Sequence, residues 1–328
     1  MVMPRRTPLH RYHTYGLLIS SAYRLAWSQN PSELKAARPD LFLAPGKKAI
    51  FARALRELGK TPRPIPWFQY KRLADGSDYL RWPRLFEFLL SPDGRFIYGH
   101  QLRRLSLETL QTYLMGQLLS FVLLKRGIES LHATAVALDN EAVGFLGDCG
   151  YGKSTLAAAC VREGFSLLTD DLLRLDMRKS PPAAYPGPPR IKLMPAAAKH
   201  LVEPSIRRVP INPLTAKQSI PLGEQQNTRR KISLRTLYVL TPPRQRPSQR
   251  IAIRRLSATG IWQALTANTF NISVRDSKRL RSHFFWVGEL SKRLTVKSLS
   301  YPRSFARLPD VVAAIRRDLV SDANGLFN

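Results

Sequence analysis

Apolar positions along the chain fall into short runs near the start and a few helical stripes further on. Residues 1–12 are rich in Pro and Arg and read as a loose arm. Short apolar runs at 15–19 and 41–44 predict strands, the second stopped by Pro45-Gly46. A weak helical pattern covers 47–59, and three prolines in 61–66 predict a loop. Runs 68–73 and 78–82 flank Asp75-Gly76, and 85–90 and 96–98 flank Asp93-Gly94, so each pair predicts a hairpin. The pattern then changes period. Leu107, Leu110, Leu114, Leu118 and Phe121 recur at helical spacing behind Ser106, a good N-cap, and Gly127 closes the stripe. This divides the chain into a β-rich module over 1–104 and a larger α/β domain over 105–328.

In that second part, 131–138 predicts one strand, Asp139-Asn140 a tight turn, and 142–146 a buried strand. An Ala- and Leu-rich helix spans 156–163 with Gly164 at its end, and 165–169 is the next strand. Strand continues over 172–175. The proline-rich stretch 180–189 predicts a surface loop able to cover a site, 190–193 a short extended piece, and 203–231 loops. Strands at 236–240 and 251–253 flank another proline-rich loop, 241–248. Helices at 258–267 and 276–294, a strand at 295–299 and a helix at 309–320 close the chain.

Composition narrows the class. In 328 residues, 44% are hydrophobic, as a folded chain with a sizeable core requires. The two cysteines, Cys149 and Cys160, form neither a disulfide framework nor a zinc motif, which suits a reducing cytoplasm. No apolar segment follows Met1 to Arg6 as a signal peptide would need, and Glu108, Gln111 and Gln117 break up the most apolar helix, so no membrane is expected. The net charge is +29, and residues 178–328 hold 28 basic against 7 acidic side chains. That excess suits an acidic or phosphorylated partner, or simple compositional drift. Nucleic acid is disfavoured: there is no basic run with interleaved aromatics and no helix-turn-helix pattern.

The candidate chemistry sits between the strand 142–146 and the helix 156–163. Gly147-Asp148-Cys149-Gly150-Tyr151-Gly152-Lys153-Ser154-Thr155 fits G-x-x-x-x-G-K-[ST], a loop whose inward-pointing amides cradle phosphate oxygens. Its glycines let the backbone turn tightly, and the following helix N-terminus favours an anion. Lys153 would reach the β- and γ-phosphates, and Ser154 would hold Mg²⁺. Asp170 and Asp171 come after Lys153 at an unusually short distance, on the next strand. Two adjacent carboxylates suggest divided work, one supporting Mg²⁺ and the other accepting the proton of an attacking hydroxyl. Asp171 with Ser154 is the metal pair of this reading, although the order of the two roles stays open. Adjacent strand residues point to opposite faces, so both serve one site only where the strand bends or ends. His132, on the strand expected to pair with the one entering the loop, would orient one carboxylate by a hydrogen bond.

These residues carry a resemblance. Leu131-His132-Ala133, the loop Gly147–Ser154, Gly164-Phe165 and Thr169-Asp170-Asp171 resemble the catalytic domain of bacterial HPr serine kinases. Tyr15-Gly16-Leu17, Tyr79-Leu80-Arg81-Trp82, Arg126-Gly127 and Tyr301-Pro302-Arg303 extend the likeness to HPr-kinase-related proteins, some of which phosphorylate the C-terminal serine of lasso precursor peptides. The resemblance implies a phosphoenolpyruvate carboxykinase-like P-loop kinase fold preceded by a β-rich domain. It also implies ATP, Mg²⁺, transfer to serine and a peptide or small-protein acceptor; a homo-oligomer is left open. Arg190, Lys192 and Lys217 stand where such relatives carry basic residues. Cys149 replaces the usual Ser, and the glycine-rich signature after the Asp pair is absent. The rival reading is an ATP-binding regulatory or assembly protein without catalysis.

Overall fold

The computed structural model describes residues 9–26, 37–60, 63–243, 249–272, 274 and 276–324. Parts of the expected arm and of the loops at 61–66 and 241–248 lie outside these residues. The described chain is mixed α/β with three sheets.

The first sheet has seven strands in the order His10–Thr14, Leu17–Ser21, Leu41–Pro45, Phe96–Gln101, Phe86–Leu90, Asp78–Trp82, Gln69–Arg72. Both predicted hairpins form, at Asp75-Gly76 and Asp93-Gly94. Tyr15 is not in a strand. With Gly16 it makes a turn, both residues at positive φ (52° and 66°), so the run 15–19 belongs to a hairpin that begins at His10. The long helix starts at Ser106, whose Oγ accepts from Thr109 N, and runs Leu107–Tyr113, Leu114–Leu118 and Leu119–Lys125, the middle segment being a π-helical turn. Its stripe of Leu110, Leu114, Leu118 and Phe121 is buried in one core with Trp82, Phe86 and Phe88 of the sheet. The helix therefore packs on the first sheet, although the sequence division groups it with the α/β domain.

The second sheet has nine strands, centred on Glu141–Leu146, Ile232–Leu240 and Thr295–Ser300, which run parallel. Alternation along Glu141–Leu146 serves two layers, because successive side chains leave a strand on opposite faces. Val143 and Phe145 pack with the helices Lys153–Arg162 and Leu308–Asn324 on one side. Ala142 and Leu146 pack with Ala258–Ala267 and Ser277–Arg293 on the other. No helix among the described residues is long and apolar enough to cross a membrane.

Three expectations change. The run 131–138 is two strands, Ser130–His132 and Thr134–Leu138, broken at Ala133. Only the second pairs with the strand entering the glycine loop; His132 instead pairs with Leu172. The stretch 180–189 is no free cover: Ala183–Ala184 is a strand of the sheet, and Gly187 N donates to Leu168 O at 2.8 Å. The region 203–231 holds two strands, Val209–Asn212 and Thr215–Pro221, which join Arg190–Leu193 in a third, antiparallel sheet. Little apolar alternation marks them, and Pro210 is tolerated because Val209–Asn212 is an edge strand.

Candidate active site

The glycine loop leaves the buried strand Glu141–Leu146 and turns into Lys153–Arg162. Gly150 and Gly152 have φ of 89° and 88°, a region that side-chain-bearing residues rarely adopt. Gly152 is doubly constrained, since a Cβ there would stand 3.0 Å from Arg303 Nη1 and 3.3 Å from the Tyr301 hydroxyl. No side chain caps the helix, so its first amides are left for an anion. Asp148 and Cys149 are exposed, Tyr151 covers Gly147, and Thr155 is half-buried in the first helical turn.

Both ends of the loop are tied to distant parts of the chain. Gly147 N donates to Asn268 Oδ1 at 2.8 Å, and Asn268 Nδ2 donates back to Ala264 O. At the other end Arg303 donates to Tyr151 O at 2.6 Å, to the Tyr301 hydroxyl and to Thr241 O. Neither tether belongs to the loop motif. Asn268 carries no signal in sequence beyond its place after a helix.

Lys153 is 7% exposed, and its ammonium donates to the Gly147 and Asp148 carbonyls inside the curl of the loop. Burial pushes its pKa down, with the Asp170 carboxylate opposing. Asp170, 6% exposed, is held from three sides. Its Oδ1 accepts from Ser154 Oγ at 2.8 Å and Thr134 Oγ1 at 2.9 Å, and its Oδ2 accepts from Lys192 N at 2.9 Å. Where the sequence pairs Ser154 with Asp171, the structure bonds Ser154 to Asp170.

Asp171 sits at φ 80° between Ser166–Thr169 and Leu172–Asp176. The first of these strands pairs with Thr134–Leu138, the second with Ser130–His132. The sheet thus breaks at Asp170-Asp171 in one layer of chain and at Ala133 in its partner, and Ala133 N donates to Asp171 O at 3.0 Å across the break. Across this bend both carboxylates meet Lys192, Asp170 at its backbone N and Asp171 at its ammonium. The Asp171 carboxylate is 30% exposed and ion-paired to the Lys192 ammonium.

Of the three basic residues singled out in the sequence, Arg190 is taken by Glu108 at 2.7 Å. Lys192 faces Asp171, and Lys217 adds its charge to the field on Lys153, Lys192 and His132. Burial pushes the Lys192 pKa down to about 8. Burial, then Lys153 and Lys192, push the His132 pKa down to about 3, so its imidazole is neutral at ordinary pH. The His132 ring packs 5.3 Å from Phe270 and makes no hydrogen bond to Asp170 or Asp171; its backbone N donates to Asn268 O at 2.6 Å. The expected imidazole–carboxylate bond is absent because His132 belongs to the Leu172 side of the break.

The donors beside the loop are a hydroxyl and two carboxylates, an oxygen set suited to Mg²⁺. Among the described residues no group of three or more His, Cys, Asp and Glu could hold a metal ion.

No protein-family model matches the chain, and no curated protein matches it. Among solved structures, the Hpr(Ser) kinase/phosphatase from Coxiella burnetii is similar, at 14% identity and a TM-score of 0.33, over 61% of this chain and 98% of that one.

Proposed function

We propose that this chain is an ATP-dependent kinase, built on a phosphoenolpyruvate carboxykinase-like P-loop domain with a β-rich N-terminal domain. It passes the γ-phosphoryl group to a hydroxyl of a peptide or small protein. The observation that carries this reading is the division at the strand break: Asp170 is locked onto Ser154, while Asp171, 30% exposed, pairs with the Lys192 ammonium. Two adjacent carboxylates with different partners suit two roles at one phosphate.

In this reading the amides of Gly147 to Thr155 bind the phosphates, and Lys153, Lys192 and Lys217 offset the charge of the transferring group. Ser154 and Asp170 would hold Mg²⁺, which supplies further neutralisation of phosphate charge. Asp171 takes the proton of the acceptor hydroxyl. The acceptor oxygen bonds to the γ-phosphorus as the bond to the bridging oxygen breaks and ADP leaves. His132, neutral and held through its backbone, positions the strand break and transfers no proton. The resemblance noted in the sequence narrows the acceptor to serine, with the C-terminal serine of a lasso precursor peptide as the most specific candidate.

The test is mass spectrometry of a synthetic peptide ending in serine after incubation with the chain, ATP and Mg²⁺. A phosphopeptide with wild type and none with Asp171→Asn is expected. ATP binding without product from this peptide or from pools of serine peptides would replace the kinase by the regulatory reading.

A further inference from the structure

The helix on the first sheet carries a glycine that its own structure does not require. Gly116 lies in the π-helical turn Leu114–Leu118 and is buried. Its φ is not in the left-handed region, so any L-residue fits the backbone. A Cβ built there would find one neighbouring atom within 4 Å, Asp171 Oδ2 at 3.5 Å, an ordinary contact distance. Alanine would thus fit without a clash, and in a helix interior it is favoured over glycine by about 1 kcal/mol. What glycine keeps clear is the volume of one methyl group beside the Asp171 carboxylate. π-Helical turns of this kind gather at functional sites. The same helix supplies Glu108, paired to Arg190, and Tyr113, whose hydroxyl accepts from Asn212 Nδ2 at 3.2 Å. Those contacts fix the helix against the third sheet.

We propose that Gly116 is a specificity-determining residue of the acceptor site: its missing side chain keeps clear the side of the Asp171 carboxylate that the hydroxyl-bearing carbon of the acceptor approaches. This rests on the kinase reading.

The experiment compares wild type, Gly116→Ala and Gly116→Val, using ATP and a degenerate peptide pool with one fixed serine. Transfer, ATP affinity by calorimetry and thermal unfolding are measured for each. Gly116→Ala should melt no lower than wild type and bind ATP unchanged, while kcat/KM for the pool falls toward the roughly 100-fold loss that a displacement of about 1 Å produces. Gly116→Val should transfer less still. Transfer by Gly116→Ala at the wild-type rate overturns the assignment alone. So does a loss of ATP affinity in step with transfer, which would mark a structural role. A wild-type chain that binds ATP but labels no peptide in the pool removes the kinase reading, and this assignment with it.

Discussion

Asn268 and Gly147 lie 121 residues apart, yet the Asn268 side-chain oxygen accepts the Gly147 amide at 2.8 Å in a buried position. Asn268 O also accepts from His132 N, so one residue fastens both the mouth of the glycine loop and the strand beside the Asp pair. Asn268→Ala would leave a buried N–H unpaired, at a cost of about 1–3 kcal/mol. We expect KM for ATP to rise more than KM for the acceptor, with a matching drop in the urea midpoint. Unchanged ATP kinetics would show that the tether is dispensable.

The two aspartates should fail differently. Asp171→Asn removes the proposed base and should lower kcat by roughly 10²–10⁴-fold with ATP affinity kept. Asp170→Asn disturbs the bonds to Ser154, Thr134 and Lys192 N, so it should also raise the Mg²⁺ concentration needed for half-maximal rate. Steady-state kinetics across a Mg²⁺ titration separates the two. Full activity in both variants would end the assignment.

Lys192 sets a pH dependence. Its pKa is pushed from an ordinary 10.5 down to about 8 by burial. Its positive charge is present below that pH and is lost as pH rises through it. Between the two values the unfolded chain binds the extra proton, so this group's contribution makes stability rise with pH there. For activity the direction is opposite: kcat/KM for ATP should fall on the alkaline side with an apparent pKa near 8, and Lys192→Gln should flatten that limb. The limb in kcat should lie higher, because bound phosphate favours the charged amine. An alkaline limb of the same position in Lys192→Gln would assign it to another group.

The segment carrying Asn268 depends on a buried ion pair. Arg279 Nε and Nη2 each meet the Glu129 carboxylate at 3.0 Å, with side chains 7% and 6% exposed. The same guanidinium donates to the carbonyls of Phe270, Asn271 and Val274. Removing one partner strands a buried charge, so Glu129→Gln should cost about 3–5 kcal/mol. Denaturant unfolding reads this directly, and a midpoint equal to wild type would contradict it.

The range of each interaction decides whether residue order alone reveals it. Hairpins at Asp75-Gly76 and Asp93-Gly94, the helix capped by Ser106 and the glycine loop are written in neighbouring residues, because turn chemistry, capping and 3.6-residue periodicity act over a few positions. The strands at 209–221 leave little mark in the residue order because they rely on partners in a small sheet more than on their own apolar alternation. The site divides in the same way. Its loop and its Asp pair are contiguous and visible. That Ser154 faces Asp170, that His132 lies across a break from both carboxylates, and that Asn268, Arg303 and Gly116 border the site depend on strand pairing and packing between residues far apart in the chain. Local chemistry specifies which groups are available; the register of the sheets decides which of them meet.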